Sequence, residues 1–224
     1  MFTGKDDIYK VGQIAGWQNH TDFGYLYPEP CDRMSGSAGE FFPKNRDKTS
    51  LSYFTPDLCR PIHFNFKEET EFMGVHGYRY ILDDGLMGNS SYNASNWCYN
   101  PQPDLVPDDI DWSGQRNDSH AALEDTVNMV LPTGLLNVSS CKFDSPAYVS
   151  FPHFYMADPA LLDQFHPDSD LSPSEELHSN YITIMPEQGI PLDVAIRLQI
   201  NILYRPLGLV DMLTDLKPTF YPTV

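Results

Sequence analysis

The residues of this chain that could do chemistry are seven histidines, four cysteines and 31 carboxylates. The sharpest of these positions is His153, in the stretch PAYVSFPHFYMADP over 146–159. An apolar run ends there, with the histidine held between Pro152 and Phe154. Such a residue could be a base, a metal ligand, a gate or a structural corner. No HExxH occurs and no two histidines stand four apart on a helical pattern, so the zinc-hydrolase signature is missing. A lone histidine at a strand end more often bonds backbone than metal. Pro152, His153 and Phe154 are therefore read as a structural corner with no catalytic role.

The other candidates are weaker. From Asp168, the run DSDLSPSEEL places Asp168, Asp170 and Ser172 at alternate positions. A calcium-binding EF-hand loop needs glycine sixth and glutamate twelfth, where this chain has Pro173 and Ser179. Asp104, Asp108, Asp109 and Asp111 read as a solvated acidic loop. The cluster SGSAG at 35–39 lacks the GxSxG spacing of a nucleophile elbow. Nothing singles out one carboxylate pair, and no glycine loop suits phosphate. An enzyme has no motif in its favour, and no cofactor or metal is implied.

Cysteine and asparagine say more. Cys31, Cys59, Cys98 and Cys141 form no CxxC, which argues against a zinc ribbon or a thioredoxin-type site. Their wide spacing suits long-range cross-links, but four cysteines allow three pairings and spacing does not choose among them. Five N-x-S/T sequons stand at Asn19, Asn89, Asn93, Asn117 and Asn137. Four of them fall between Cys59 and Cys141. That density predicts a glycosylated chain of the secretory pathway, where disulfides persist.

The net charge of −17 argues against nucleic acid, because phosphate recognition needs clustered Lys and Arg. With 41% hydrophobic residues the chain has the material for a core and is not an acidic disordered segment. Its apolar runs fall short of the roughly 20 residues that span a bilayer. The start, MFTGKDDIYK, does not read as a signal peptide.

The elements that must position these residues are mostly strands. In LDVAIRLQINILY, residues 192–204, Leu192, Val194, Ile196, Leu198, Ile200, Ile202 and Tyr204 alternate with polar residues, which predicts one long half-buried strand. Shorter strands are predicted at 61–66, 76–82, 147–151 and 181–185. Asp158-Pro159 ahead of ALLDQF reads as an N-cap with proline in the first turn. Ser172 to Glu175 has capping-box spacing. A short helix is expected over 207–213. The segment 85–119, with three sequons and Cys98, is expected to be a glycan-bearing surface excursion. The sum is a mainly β protein: antiparallel strands, short helices and long loops.

Four ordered segments carry a resemblance: FTGKDDIYKVGQI, FTPDLCRPIHFNF, YVSFPHFYMADP and EELHSNYITIMPEQGIPLDVAIRLQINI. Together they resemble the class B scavenger receptors, a family that includes fatty-acid translocase, the class B lipoprotein receptor, a lysosomal integral membrane protein, croquemort and the sensory neuron membrane proteins. The resemblance runs over nearly the whole chain. It implies that residues 1–224 are one partial domain, the C-terminal half of an ectodomain that lies between two membrane helices. The membrane helices and the helical apex would fall outside it. The implied fold is an antiparallel β-barrel-like core with a lipid tunnel.

The resemblance further implies that Cys31 pairs with Cys98 and Cys59 with Cys141. A third bridge found in many members would be absent, since Asn100 stands where its first cysteine would be. In a tunnel-bearing fold, Leu192, Val194, Ile196, Leu198 and Ile200 would face core or lipid. Arg197, Gln199 and Asn201 would be architectural, with Glu175, Glu176 and His178 as partners. The implied function is a cell-surface scavenger receptor that binds lipids or lipoproteins and passes lipid to the membrane. The implied partners are fatty acids, phospholipids, sterol esters, lipoproteins or apoptotic cells, and a homo-oligomer is allowed. The alternative is a phagocytic or lysosomal trafficking receptor that recognises apoptotic cells or a protein cargo. The implied address is the extracellular side of the plasma membrane, or the lumenal side of lysosomal or endosomal membranes.

Overall fold

A computed structural model of the chain describes residues 1–24, 26–99, 131–143, 145–204 and 219–223. The expected sequon at Asn117, the acidic loop Asp104 to Asp111 and the helix over 207–213 lie outside these residues. The described residues are mainly β, in two antiparallel sheets that curl as a half-barrel.

The first sheet has the order β1-β2-β3-β6-β7. It comprises β1 (Ser50–Thr55), β2 (Arg60–Phe72), β3 (Val75–Leu82), β6 (Tyr181–Met185) and β7 (Ile190–Ala195). The second has the order β4-β5-β8-β9. Its strands are β4 (Leu136–Asn137), β5 (Ala147–Ser150), β8 (Gln199–Tyr204) and β9 (Thr219–Thr223). Local chemistry sets the hairpins. Met73 and Gly74 join β2 to β3 with φ of 50° and 80°, and two positive φ values match the twist of the flanking strands.

Alternation in β2 buries Ile62 and Phe64 and leaves His63 and Asn65 outside. On the same inner face Tyr80 pairs with Ile182, and Ile182 with Val194. In the second sheet Leu136 pairs with Val149, and Val149 with Ile200. These two inner faces enclose the main core, which includes Phe64, Tyr80, Ile182, Ile184, Leu136 and Val149. A second core forms around Phe23, Phe54 and the cysteines. A third lies behind the second sheet and contains Tyr148, Phe154, Leu161 and Phe220.

Ahead of β1 the described chain forms turns, isolated bridges and one short 3-10 helix, Ile8–Lys10, and specific bonds tie it down. The Tyr80 hydroxyl donates to the Asp47 carbonyl at 2.5 Å, and burial pushes the Tyr80 pKa up to about 12. The Phe42 amide donates to the Gly189 carbonyl at 2.8 Å. Gly189 has φ +71°, and a side chain there would drive its Cβ into the Phe42 carbonyl oxygen. Only glycine allows both the turn and the close approach.

Three sequence expectations are corrected. The long strand over 192–204 is two strands in different sheets, β7 and β8, broken at 196–198. Period-2 alternation reads side-chain direction and cannot see a chain that leaves one sheet for another. The segment 85–99 is not a surface excursion, because Leu86, Met87, Ser90, Asn96 and Cys98 are all buried. No capping box forms: Ser174 is the N-cap of the helix Glu175–His178 without a side-chain bond, and its amide instead donates to His178 Nδ1 at 2.9 Å. The expected cap at Asp158 with Pro159 in the first turn does form, on a 3-10 helix Pro159–Gln164, with Asp158 accepting from the Ala160 amide.

Candidate functional site

Two disulfides cross-link the second core. Cys31 bonds Cys98 and Cys59 bonds Cys141, with Cα separations of 6.1 and 6.0 Å. This is the pairing that the family resemblance implies. Beside them, Arg60 opens β2 on its buried parity, in step with Ile62 and Phe64. Its Nη1 donates to the Leu86 carbonyl at 3.3 Å and its Nη2 to Asn96 Oδ1 at 3.1 Å. Asn96 in turn donates to the carbonyls of Gly85, Leu86 and Gly88. One buried cation and one buried amide thus hold the 85–96 loop against the core. Burial pulls the Arg60 pKa down. Sequence reading missed Arg60. The available signal was a charge at a position where β2 alternation demands an apolar residue.

The corner at His153 is a polar joint between both sheets. His153 has φ 54°, and its amide donates to Gln199 Oε1 at 2.9 Å. Gln199 Nε2 donates to Ser150 Oγ and Asn201 Oδ1, and Asn201 Nδ2 donates to Ser150 Oγ at 3.0 Å. The His153 ring stacks on His178 with centroids 4.3 Å apart. His178 Nδ1 is occupied as an acceptor by the Ser174 amide. Burial, then His153, then Arg197 push the His178 pKa down. Arg197 Nη1 donates to the Ser179 carbonyl and its amide to Asn180 Oδ1. The polar residues at 197–201 therefore bind Ser179, Asn180 and Ser150 rather than Glu175 or Glu176. Pro152 sets the turn, and Phe154 is buried in the third core.

The five apolar candidates at 192–200 do not share one face. The β6–β7 register pairs Thr183 with Asp193 and Ile184 with Pro191, so Leu192 is the bulged residue between them. A Cβ on Gly77 would meet Leu192 and Thr183 together, which puts Leu192 on the outer face with Thr183. Val194 stands on the inner face at the sheet edge, 48% exposed. Ile196 and Leu198 are half-buried against the main core. Ile200, on the inner face of β8, is 53% exposed, and Ile202, Tyr204 and Tyr221 beside it are exposed as well. On β8 it is the polar residue that is buried: Asn201 is 0% exposed. Apolar lining thus runs from the enclosed core at Val149 and Ile182 out to solvent at Val194, Ile200 and Ile202.

A cleft of about 830 Å³ opens between β2, β3, β6 and the helix Glu175–His178. Phe151, Tyr155, Leu82 and Ile81 give it an apolar floor. At its rim Lys67 meets Glu175 at 3.0 Å, and Arg79 meets Glu68 at 3.8 Å and Asp193 outside the lining at 3.6 Å, while Asp83, Asp84 and Glu176 add further negative charge. Among the described residues no His, Cys, Asp and Glu cluster could hold a metal ion, and no helix is long and apolar enough to cross a membrane.

The sequon asparagines differ sharply. Asn19 is exposed in a two-residue turn. Asn89 Nδ2 donates to the Leu131 carbonyl and Asn93 Nδ2 to the Gly85 carbonyl. Asn137 lies half-buried in β4, its Oδ1 accepting from the Ser139 amide.

Two antiparallel sheets, two disulfides and a buried arginine held by loop carbonyls define a disulfide-bonded antiparallel β domain. The chain belongs to the CD36 family, whose family model matches residues 1–224. It is 30% identical over 223 residues to Protein peste of Drosophila melanogaster, covering 99% of this chain and 35% of that protein. It is 25% identical to Scavenger receptor class B member 1 of Sus scrofa, covering 99% and 38%. It is 28% identical to Sensory neuron membrane protein 2 of Heliothis virescens, covering 99% and 39%. The chain therefore spans well under half the length of these relatives.

Proposed function

We propose that residues 1–224 are one partial domain of a plasma-membrane scavenger receptor ectodomain that binds lipids or lipoproteins and conducts lipid along its inner apolar face. The observation that carries this is the open end of the main core. Val194 and Ile200 lie on inner sheet faces in register with buried Ile182 and Val149, and Ile202 in register with half-buried Ala147, yet all three stand exposed. Exposed apolar side chains on the inner faces beside a buried core suit an acyl chain or a sterol. Apolar burial at roughly 25 cal/mol per Å² drives such entry, and no bond is made or broken. The receptor is not an enzyme in this reading. Its two disulfides suit the extracellular side of the membrane.

The test is lipid content. The complete ectodomain of the parent protein, secreted and purified, is extracted with organic solvent and compared by mass spectrometry with a glycoprotein that lacks a cavity. Stoichiometric fatty acid, sterol ester or phospholipid supports the reading. No lipid above the control, in folded and disulfide-bonded protein, overturns it in favour of a receptor that recognises a protein or a cell at its surface.

A further inference from the structure

We propose that Asn19 carries an N-linked glycan with its first sugar packed on Trp17, while the sequons at Asn89 and Asn93 stay unmodified in the folded protein. The glycan rests on the extracellular address proposed above. The choice among sequons goes beyond it, since the sequence alone leaves them equivalent.

The two classes of asparagine do different work. Trp17 and His20 exchange both backbone bonds, each 2.9 Å, around a two-residue turn. Gln18 and Asn19 form that turn with φ of 50° and 67°, and both are exposed. Asn19 is thus at a hairpin tip, its side-chain amide making no hydrogen bond with the described residues, and asparagine tolerates the left-handed conformation there. Thr21, the sequon hydroxyl, is also exposed. Trp17 stands two residues before the acceptor. Its indole is half-buried, with Phe54 on the core side at a centroid distance of 6.3 Å. The indole is therefore only partly covered, and it flanks the turn in sequence. The C–H face of a pyranose is apolar and packs on an indole, which suits a GlcNAc attached at Asn19.

Asn89 and Asn93 have no such freedom. Asn93 Oδ1 accepts from the Ser95 amide at 3.1 Å and caps the 3-10 helix Ala94–Asn96, while its Nδ2 donates to the Gly85 carbonyl at 3.3 Å. That nitrogen is only 2.6 Å from where a Cβ on Gly85 would sit. Asn89 Oδ1 accepts from the Tyr92 amide and its Nδ2 donates to the Leu131 carbonyl, both at 3.1 Å. Leu131 is buried, 6% exposed. N-glycosylation replaces one hydrogen of that same nitrogen by a sugar. The modified nitrogen keeps a single N–H, and a sugar on it must find room where Nδ2 now packs against the Gly85 or Leu131 carbonyl, so a chain glycosylated at either site has to shift a side chain that caps a turn and bonds a buried residue's carbonyl. Folding therefore selects against chains modified there.

The full-length protein from a eukaryotic secretory host is digested, and peptide-N-glycosidase F in heavy-oxygen water marks each formerly occupied asparagine. The expected result is a label at Asn19 and none at Asn89 or Asn93. A label at Asn89 or Asn93 in folded, disulfide-bonded protein overturns the proposal, as does an unlabelled Asn19 in such protein. No label anywhere together with free thiols overturns the extracellular address itself, and this proposal with it. The sugar contact is read separately by comparing Asn19→Gln in the parent and in a Trp17→Leu background. Asn19→Gln is expected to lower Tm by about 2 °C or more in the parent and to leave it unchanged in the Trp17→Leu background, where the indole contact is already lost. Equal shifts in both backgrounds overturn the packing on Trp17, and the occupancy result stands whether or not Trp17→Leu folds.

Discussion

The guanidinium carbon of Arg60 lies 3.6 Å from the centroid of the Tyr99 ring. The Tyr99 hydroxyl in turn donates to the Cys31 carbonyl at 3.0 Å. A buried cation is thus held by an aromatic face and by neutral oxygens that belong to the loop it organises. The disulfide Cys31–Cys98 crosses the same small volume, so cation, ring and covalent bridge share one job.

Arg60→Lys is expected to destabilise the fold by about 2–4 kcal/mol, because an ammonium cannot stack on Tyr99 and also reach Leu86 and Asn96 as a fork. Denaturant unfolding of the secreted ectodomain checks this. A change within experimental error would remove Arg60 from the set of residues that hold the 85–96 loop.

Stability should fall as pH drops below about 6.5, the ordinary histidine value. The folded pKa of His178 is depressed, so the unfolded chain takes up the proton first. The stabilising contribution is present in full above the unfolded pKa and is lost as pH falls toward the folded one. His63, though on the outer face of β2, is depressed in the same direction by partial loss of hydration and then by Arg60, and it adds to the slope. Replacing His178 by Gln should flatten part of the Tm–pH curve between about pH 7 and about pH 5 while leaving the His63 part. An unchanged slope would show that His178 is not a source of it.

Ile200→Asp and Ile202→Lys are expected to reduce co-purified lipid about tenfold, since losing roughly 1.5 kcal/mol of apolar contact changes occupancy by that factor. Both side chains are exposed, so the change in stability should stay within about 0.5 kcal/mol. Lipid mass spectrometry and a melting curve on the same sample separate the two effects.

Gly189→Ala should cost about 3 kcal/mol or more, from the positive φ and from the clash with the Phe42 carbonyl. Gly74→Ala at the β2–β3 tip also has positive φ but meets nothing within 4 Å, so it should cost about 1–2 kcal/mol. The order of the two melting temperatures checks the assignment of close packing at residue 42.

Either disulfide closes a long loop, with sequence separations of 67 and 82 residues. Loss of the Cys59–Cys141 bridge by a double serine substitution is expected to cost about 4 kcal/mol, read as a reduced yield of secreted protein and a lowered Tm.

Strand identity was legible from the residues. Alternation marks β3, β5 and β6 at nearly their observed bounds and the first half of β2, because a half-buried sheet forces apolar side chains to one parity; the rest of β2, 67–72, is mostly exposed and charged and carries no such pattern. The Asp158 cap was legible for a similarly local reason. The apolar alternation from 192 to 204 was real too, but its meaning was not local. A bulge turned Leu192 outward, a break at 196–198 sent the chain to a second sheet, and the inner face of β8 was left open. Only the tertiary structure decided which asparagines are free, since the bonds of Asn89 and Asn93 reach backbone that turns and distant segments bring to them. The same holds for Arg60, whose partners stand 26 and 36 residues away. Local pattern determines which way a side chain points along its own strand. What it meets there depends on contacts between residues far apart in sequence, and those exist only once the chain has folded.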